Sequence, residues 1–294
     1  MHRHQQWRII VPFLAPSLLL YFVFVIYPDV QALWVSLHEW SGLSRMVYVG
    51  LANFTKLTHD AIFVPALEHN VFFMVVDTIC VVFLALVVSV ALLSKLPGAG
   101  FFRTLYFFPV TISIVAIAAA WKMMYNPIWG PPATLLQILG LVPPMWLGDE
   151  HLVLPAIAIV VIWGAMGFHM TLYIAGMQSI PSDYYEAARI DGASAWHQFW
   201  HITIPLLWQV LRVSIVFLVI AGMNIFATVQ VMMQGDQSGS IPPSAQVLTT
   251  YLYQQSFVNA HYGYGAAIGV IVFLLTLIIT LIALGFTRQA RVEF

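Results

Sequence analysis

Six stretches of the chain, near residues 9–28, 69–93, 104–125, 152–176, 206–229 and 264–287, are apolar over the roughly 20 residues that a helix needs to cross a bilayer. Inside hydrocarbon no water satisfies backbone N–H and C=O groups, so each stretch must close its own hydrogen bonds as a helix. The reading is an all-α membrane protein with six transmembrane helices, one domain over residues 1–294, because no loop is long enough to bury a core of its own. Composition agrees: 61% of residues are hydrophobic and 8% charged, where soluble domains carry about 25% charged residues. A net charge of −1 excludes a strongly basic nucleic-acid binder. No small-residue cleavage site clearly follows the first stretch, which therefore reads as a retained anchor. The one cysteine, Cys80, lies in an apolar run and reads as packing.

Lysine and arginine set the orientation. With the N-terminus inside, Arg3, Arg8, Lys95, Arg103, Arg189, Arg212, Arg288 and Arg291 fall on or near the inner face, 8 of the 11 basic residues, and Arg45, Lys56 and Lys122 fall outside. Both termini are thus expected in the cytoplasm. Residues 29–68 form a long outer segment, expected to be irregular from its Gly, Ser and Asn content. Residues 94–103 make a short inner loop broken at Pro97 and Gly98. In the outer segment 126–150, Leu135–Leu141 predicts a short helix bounded by Pro131, Pro132, Pro143 and Pro144. In 231–263, Val247–Phe257 predicts a short interfacial helix with Tyr251 and Tyr253 at headgroup depth.

Between the fourth and fifth apolar stretches stands a polar island, DYYEAARIDGASAWHQFWHITIP, residues 183–205. Asp183 with Glu186 three residues on fits a capping box for a helix starting near Tyr184. Ala187 and Ala188 favour helix, and Gly192 suits the left-handed position that closes one. A second short helix over ASAWHQFWH should follow, with Pro205 in the first turn of the next span. A helix of about two turns is unstable alone in water, so it packs either on its own membrane domain or in a partner's groove.

Glu186, Ala187, Ala188, Gly192, Ile202 and Pro205 resemble the EAA signature of ABC-importer permeases, E-A-A with a Gly six residues after the Glu and then I-x-L-P, here with Ile204 in place of Leu. APSLLLYFVFVIYP, YVGLANFTKL, YNPIWG, WLGD and GYGAA also look like segments of sugar-type permeases, about 250 of the 294 residues lying in regions alignable by pattern. The opening segment and outer loop are similar to the first permease of maltose-, lactose- or glycerol-3-phosphate-type pairs. The resemblance implies the type I ABC importer permease fold in a bacterial inner membrane, with a cytoplasmic coupling helix. By motif position, Glu186 makes a polar contact in a cleft of an ATPase subunit, Ala187 and Ala188 allow close approach, and Gly192 makes the turn. Asp191, Ile202 and Pro205 complete the coupling set. It also implies a second homologous permease, two ATPase subunits and an extracytoplasmic solute-binding protein, with a carbohydrate or related polyol as solute. The chain departs from the family's T-x-G-G-P after the fifth span, reading MMQGDQSG at 232–239, which leaves its outer-loop contacts and its solute open.

No G-x-x-x-x-G-K-[ST] occurs, and none of Lys56, Lys95 and Lys122 follows a glycine, so the chain is expected to hydrolyse nothing and to need no cofactor, ATP and Mg being bound by the partner ATPases. Asn224 in the fifth span is the first candidate for a substrate pathway, with Trp163, His169 and Tyr173 in the fourth as weaker ones that also suit packing. His197 and His201 lack the intervening Glu of H-E-x-x-H and read as polar surface. Gly265 and Gly269 form a G-x-x-x-G that reads as close helix packing, against this chain or a partner. Asp77, an acid about two turns into the second span, suits either a water-facing or hydrogen-bonded role or the relay of the alternative, a secondary transporter driven by an ion gradient. An intramembrane enzyme finds no paired catalytic motif.

Overall fold

A computed structural model describes residues 3–43, 45–94, 97–234 and 241–286, with the backbone alone for 3–11 and 286. Lys95, Arg288, Arg291, the side chains of Arg3 and Arg8, and the stretch 235–240 that departs from T-x-G-G-P lie outside the described residues. α1 (Arg3–Tyr21) passes through a π-turn at Phe22–Ile26 into α2 (Tyr27–Ser36), so the first apolar helix ends at Ser36 rather than near residue 28. The outer segment is less irregular than its composition suggests. β1 (His38–Glu39) pairs antiparallel with β2 (Val47–Tyr48), and α3 (Ala52–Thr58) follows. α4 (Phe63–Leu93) is a long unbroken span.

The third apolar stretch is not one straight helix. α5 (Ala99–Phe107) tightens into a 3-10 turn at Phe108–Thr111, and α6 (Ile114–Met124) leaves at 101°. Pro109 removes a helical donor, and Ile112 and Ser113 are extended (ψ 143° and 135°), which turns the corner. Five helices among the described residues are long and apolar enough to cross a membrane, six if this bent pair counts as one span.

α7 (Pro131–Ile138) is the short proline-bounded helix expected there. α8 (Val153–Gln178), α9 (Ser182–Ile190) and α10 (Ala195–Gln198) follow; a π-turn at Phe199–Thr203 then joins α10 to α11 (Ile204–Met223). The helix that holds the fifth apolar stretch thus begins before residue 206, and it breaks at Asn224 and Ile225 before α12 (Phe226–Met233). α13 (Leu248–Tyr253) runs through a π-turn at Gln254–Val258, and α14 (Tyr262–Phe286) is the last span.

Backbone contacts divide the chain into two units. The first is Met1–Phe63 with Tyr251–Leu274, the second Val64–Thr250 with Leu275–Phe294. In the first, Asn53 donates to the carbonyls of Ser36 (2.9 Å) and His38 (3.0 Å), fixing the outer segment to the end of α2. Asp60 accepts from the N–H groups of Ile62 and Phe63 with one oxygen, and from the hydroxyls of Tyr251 (2.5 Å) and Tyr264 with the other. Tyr251 is therefore turned inward and buried, while Tyr253 stays exposed. A Cβ on Gly265 would lie 1.9 Å from Ser256 Oγ, and one on Gly269 3.1 Å from Leu252, so the G-x-x-x-G face packs within this chain.

In the second unit the buried stripe of α4 carries Ala66, Asn70, Phe73, Asp77, Val81, Ala85 and Ser89 at helical spacing. Asn70 donates to Gly222 O (3.0 Å) and accepts from Leu248 N (2.8 Å), and Ser89 donates to Met170 O (3.0 Å). These bonds join α4 to α11 and α8, where apolar packing alone gives little register in a membrane.

Candidate functional site

The polar island is an exposed platform at the foot of the fifth span. α9 starts at Ser182, two residues before the expected point, so Asp183 lies inside the first turn and makes no cap to Glu186. A capping residue needs non-helical backbone, which Asp183 lacks; its charge instead favours the positive end of the helix. The C-terminal end is as the glycine suggests. Gly192 has φ +78°, its N–H donates to Arg189 O (3.1 Å), and Ala193 N donates to Ala188 O (2.8 Å). This is a Schellman turn, satisfying carbonyls that would otherwise be orphaned. Ser194 then caps α10 by accepting from His197 N (3.3 Å), and Gln198 Nε2 donates back to Ala193 O (3.1 Å).

Glu186, Ala187, Asp191 and Gly192 are exposed, and Ala188 and Ile202 half-buried. Pro205 falls in the first turn of α11 and is exposed. Ile190 is 87% exposed and Trp196 70%, an apolar surface left open by the described residues. Trp196, Phe199 and Trp200 contact one another ring to ring, with centroids 5.3–6.3 Å apart. His197 and His201 stack at 3.8 Å, and His201 Nδ1 bonds His197 O (3.0 Å).

One contact joins this platform to the membrane bundle. The Tyr185 hydroxyl lies 3.0 Å from Thr203 Oγ1, and Thr203 is buried at the base of α11. Tyr185 is half-buried between the exposed Tyr184 and Glu186. The sequence gives no spacing signal for this pair, since Tyr185 stands between Tyr184 and Glu186 in a run of residues that all suit a surface helix.

The pathway candidates are not brought together. Asn224 is exposed at the break after α11, with φ −115° and ψ 39°, and its Nδ2 donates to Ile220 O (3.1 Å). Trp163 is 38% exposed and meets Trp121 of α6 edge-on at 5.6 Å. His169 and Tyr173 are buried instead in the contact of α8 with α11. Both bond one hydroxyl, Ser214 Oγ, at 2.7 and 2.5 Å. Ser214 was invisible to pattern reading, because a lone serine in an apolar span carries no motif. Asp77 is 2% exposed, and neither carboxylate oxygen has a hydrogen-bond partner among the described residues.

The sequence matches, over residues 6–292, the family described as binding-protein-dependent transport system inner membrane component. It is 34% identical over 286 residues to the probable ABC transporter permease protein YurN of Bacillus subtilis, with 96% of each chain covered. It is 32% identical over 277 residues to the trehalose/maltose transport system permease protein MalF of Thermococcus litoralis, covering 94% of this chain and 92% of the relative. Among solved structures, a chain of a bacterial alginate ABC transporter in complex with alginate pentasaccharide-bound periplasmic protein superposes with a TM-score of 0.82 at 21% identity, covering 97% of this chain and 95% of that one. At that identity the likeness shows the fold alone.

Proposed function

Since the chain belongs to the family of binding-protein-dependent transport system inner membrane components, it is a multi-pass permease subunit of an ABC importer, and we propose that it forms half of a pathway for an oligosaccharide or related polyol. The names of the relatives, among them trehalose/maltose and diacetylchitobiose uptake permeases, support a carbohydrate. This family displaces the alternative of an ion-driven carrier with Asp77 as its relay. The second half of the pathway comes from a homologous permease, and the solute is handed over by an extracytoplasmic binding protein. Both termini lie in the cytoplasm.

The observation that carries the mechanism is the exposed α9, closed by the Gly192 turn and tied to α11 through Tyr185 and Thr203. α9 is the coupling helix. It seats in a groove of one of two ATPase subunits, with Glu186 as the polar contact, Ala187 and Ala188 at the closest approach, and Asp191, Ile202 and Pro205 holding the turn and the base of the span. The chain itself performs no chemistry. Its partners bind ATP and Mg, and nucleotide-driven closure moves their grooves. The held helix then biases a two-state equilibrium between outward and inward access. Asn224 lines the pathway at the break in the fifth span, and Trp163, packed on Trp121, offers a separate aromatic surface. His169 and Tyr173 act on the path through the α8–α11 contact.

The test is radiolabelled uptake by the reconstituted complex of both permeases, ATPases and binding protein across a panel of disaccharides and polyols. ATP-dependent uptake of at least one sugar is expected, and its loss in Glu186→Lys with ATPase no longer stimulated by the loaded binding protein. Sugar-independent behaviour across the panel sinks the carbohydrate assignment, and normal coupling in Glu186→Lys sinks the role of α9.

A further inference from the structure

Two broken spans meet at their outer ends, and Lys122 lies where they meet. α6 is the second limb of the bent third span, and α12 is the limb beyond the Asn224 break in the fifth; the two pack along one another. Lys122 is half-buried in the last turn of α6. Its ammonium donates to Val231 O (3.3 Å) and to Gln234 O at the end of α12. Gln234 N closes the last turn of α12 onto Gln230 O, and Val231 is the next carbonyl along, at the end of the helix where backbone acceptors run out of helical donors. Each helix end also carries partial negative charge, so two such ends beside one ammonium are stabilised together and would repel without it.

We infer that Lys122 is a positioning residue that clamps α6 to α12, so that the two limbs move as one body when the pathway changes state. It touches no solute and acts through the α12 backbone. The inference rests on the permease reading above. A short helix such as α12, with eight residues, has little stability of its own. Its orientation beyond the Asn224 break therefore depends on what holds its far end, and the lysine holds that end to the neighbouring limb.

The experiment uses the assembled transporter in liposomes, reading uptake and ATP hydrolysis with and without the binding protein. Lys122→Met is expected to lower uptake about tenfold while hydrolysis loses its dependence on the binding protein, and Lys122→Arg to keep both within about twofold of wild type. A purely packing role would change the yield of complex and leave that dependence intact. A second arm places Lys122→Cys with Gln234→Cys in a Cys80→Ser background and bridges the pair with a short reducible thiol reagent. Bridging is expected to restore uptake, and reduction to remove it again. Wild-type uptake and dependence in Lys122→Met, or a bridged pair no better than the reduced one, overturns the inference. A wild-type complex without ATP-driven uptake overturns the permease reading instead.

Discussion

Tyr185 and Thr203, eighteen positions apart, share a hydrogen bond of 3.0 Å that ties the exposed helix α9 to the buried base of α11. Tyr185→Phe removes it while keeping the ring. The expected cost is about 1 kcal/mol of local stability. On the proposed coupling role of α9, uptake should fall several-fold with ATP hydrolysis largely kept, because the helix keeps its partner-facing side while its grip on the span loosens. Paired measurements of uptake and hydrolysis on one preparation check this; a proportional fall in both would place the bond outside the coupling route.

Gly192 takes a backbone conformation (φ +78°) that a Cβ disfavours. Gly192→Ala should destabilise the Schellman turn by about 1 kcal/mol, and Gly192→Asn by less, since Asn tolerates the left-handed region. Nothing lies within 4 Å of the added Cβ, so any loss reports backbone strain and not a clash. Protease sensitivity of the 190–195 turn should rise in the order Gly, Asn, Ala.

Asp60 lies outside the spans and makes a pH signature. Burial pushes its carboxyl up, but hydrogen bonds from Tyr251, Tyr264, Ile62 and Phe63 outweigh that and hold it below the usual 3.8. Burial, then the neighbouring Asp60, push the Tyr251 hydroxyl up, so it remains a donor at neutral pH. A depressed folded value means that the stabilisation is complete above the unfolded value near 3.8 and is lost as pH falls through the lower folded one. Asp60→Asn should cost about 1–3 kcal/mol at pH 7. Melting temperatures in detergent from pH 7 down to 3 should show the gap to wild type narrowing only at the acid end. A gap independent of pH would remove the charge from the account.

Ser214 and Asp77 make a contrasting pair in the bundle. Ser214→Ala leaves His169 and Tyr173 buried without their shared partner and should cost about 1–3 kcal/mol. Asp77→Leu removes a buried acid whose oxygens have no partner among the described residues, and should leave thermal stability unchanged or raised. The melting curve of Ser214→Ala should therefore fall while that of Asp77→Leu does not. A large drop for Asp77→Leu would mean that its carboxyl is satisfied in the assembled protein.

The helical class, the apolar stretches, the short helices α7 and α13, and the Gly192 turn were legible, because hydropathy length and glycine chemistry are local signals. The 101° corner between α5 and α6 and the break at Asn224 were not. Hydropathy averages over a window and does not register a change of backbone direction when both limbs are apolar. Pro109 was the available cue for the first, and Asn224 drew attention as a polar residue without revealing that the helix stops there. The motif marked residues 183–205 as a polar island, and the structure shows an exposed helix there. Lys122, Tyr185, Thr203 and Ser214 act through tertiary contacts at long separation, for which a single sequence offers no spacing rule. The Asp183 cap failed because helix formation began two residues early and drew the aspartate into the helix itself.

The corner at Thr111–Ser113 leaves the start of a helix open. α6 begins there without a side-chain cap, and Ile114 and Val115 lie open beside it. Amide groups at such a beginning do not tolerate oily surroundings; they need either wetting or a neighbouring protein laid over them. On the proposed pairing with a second permease laid over this corner, a copy synthesised alone leaves those amides uncovered and should be short-lived, cleared by membrane proteases.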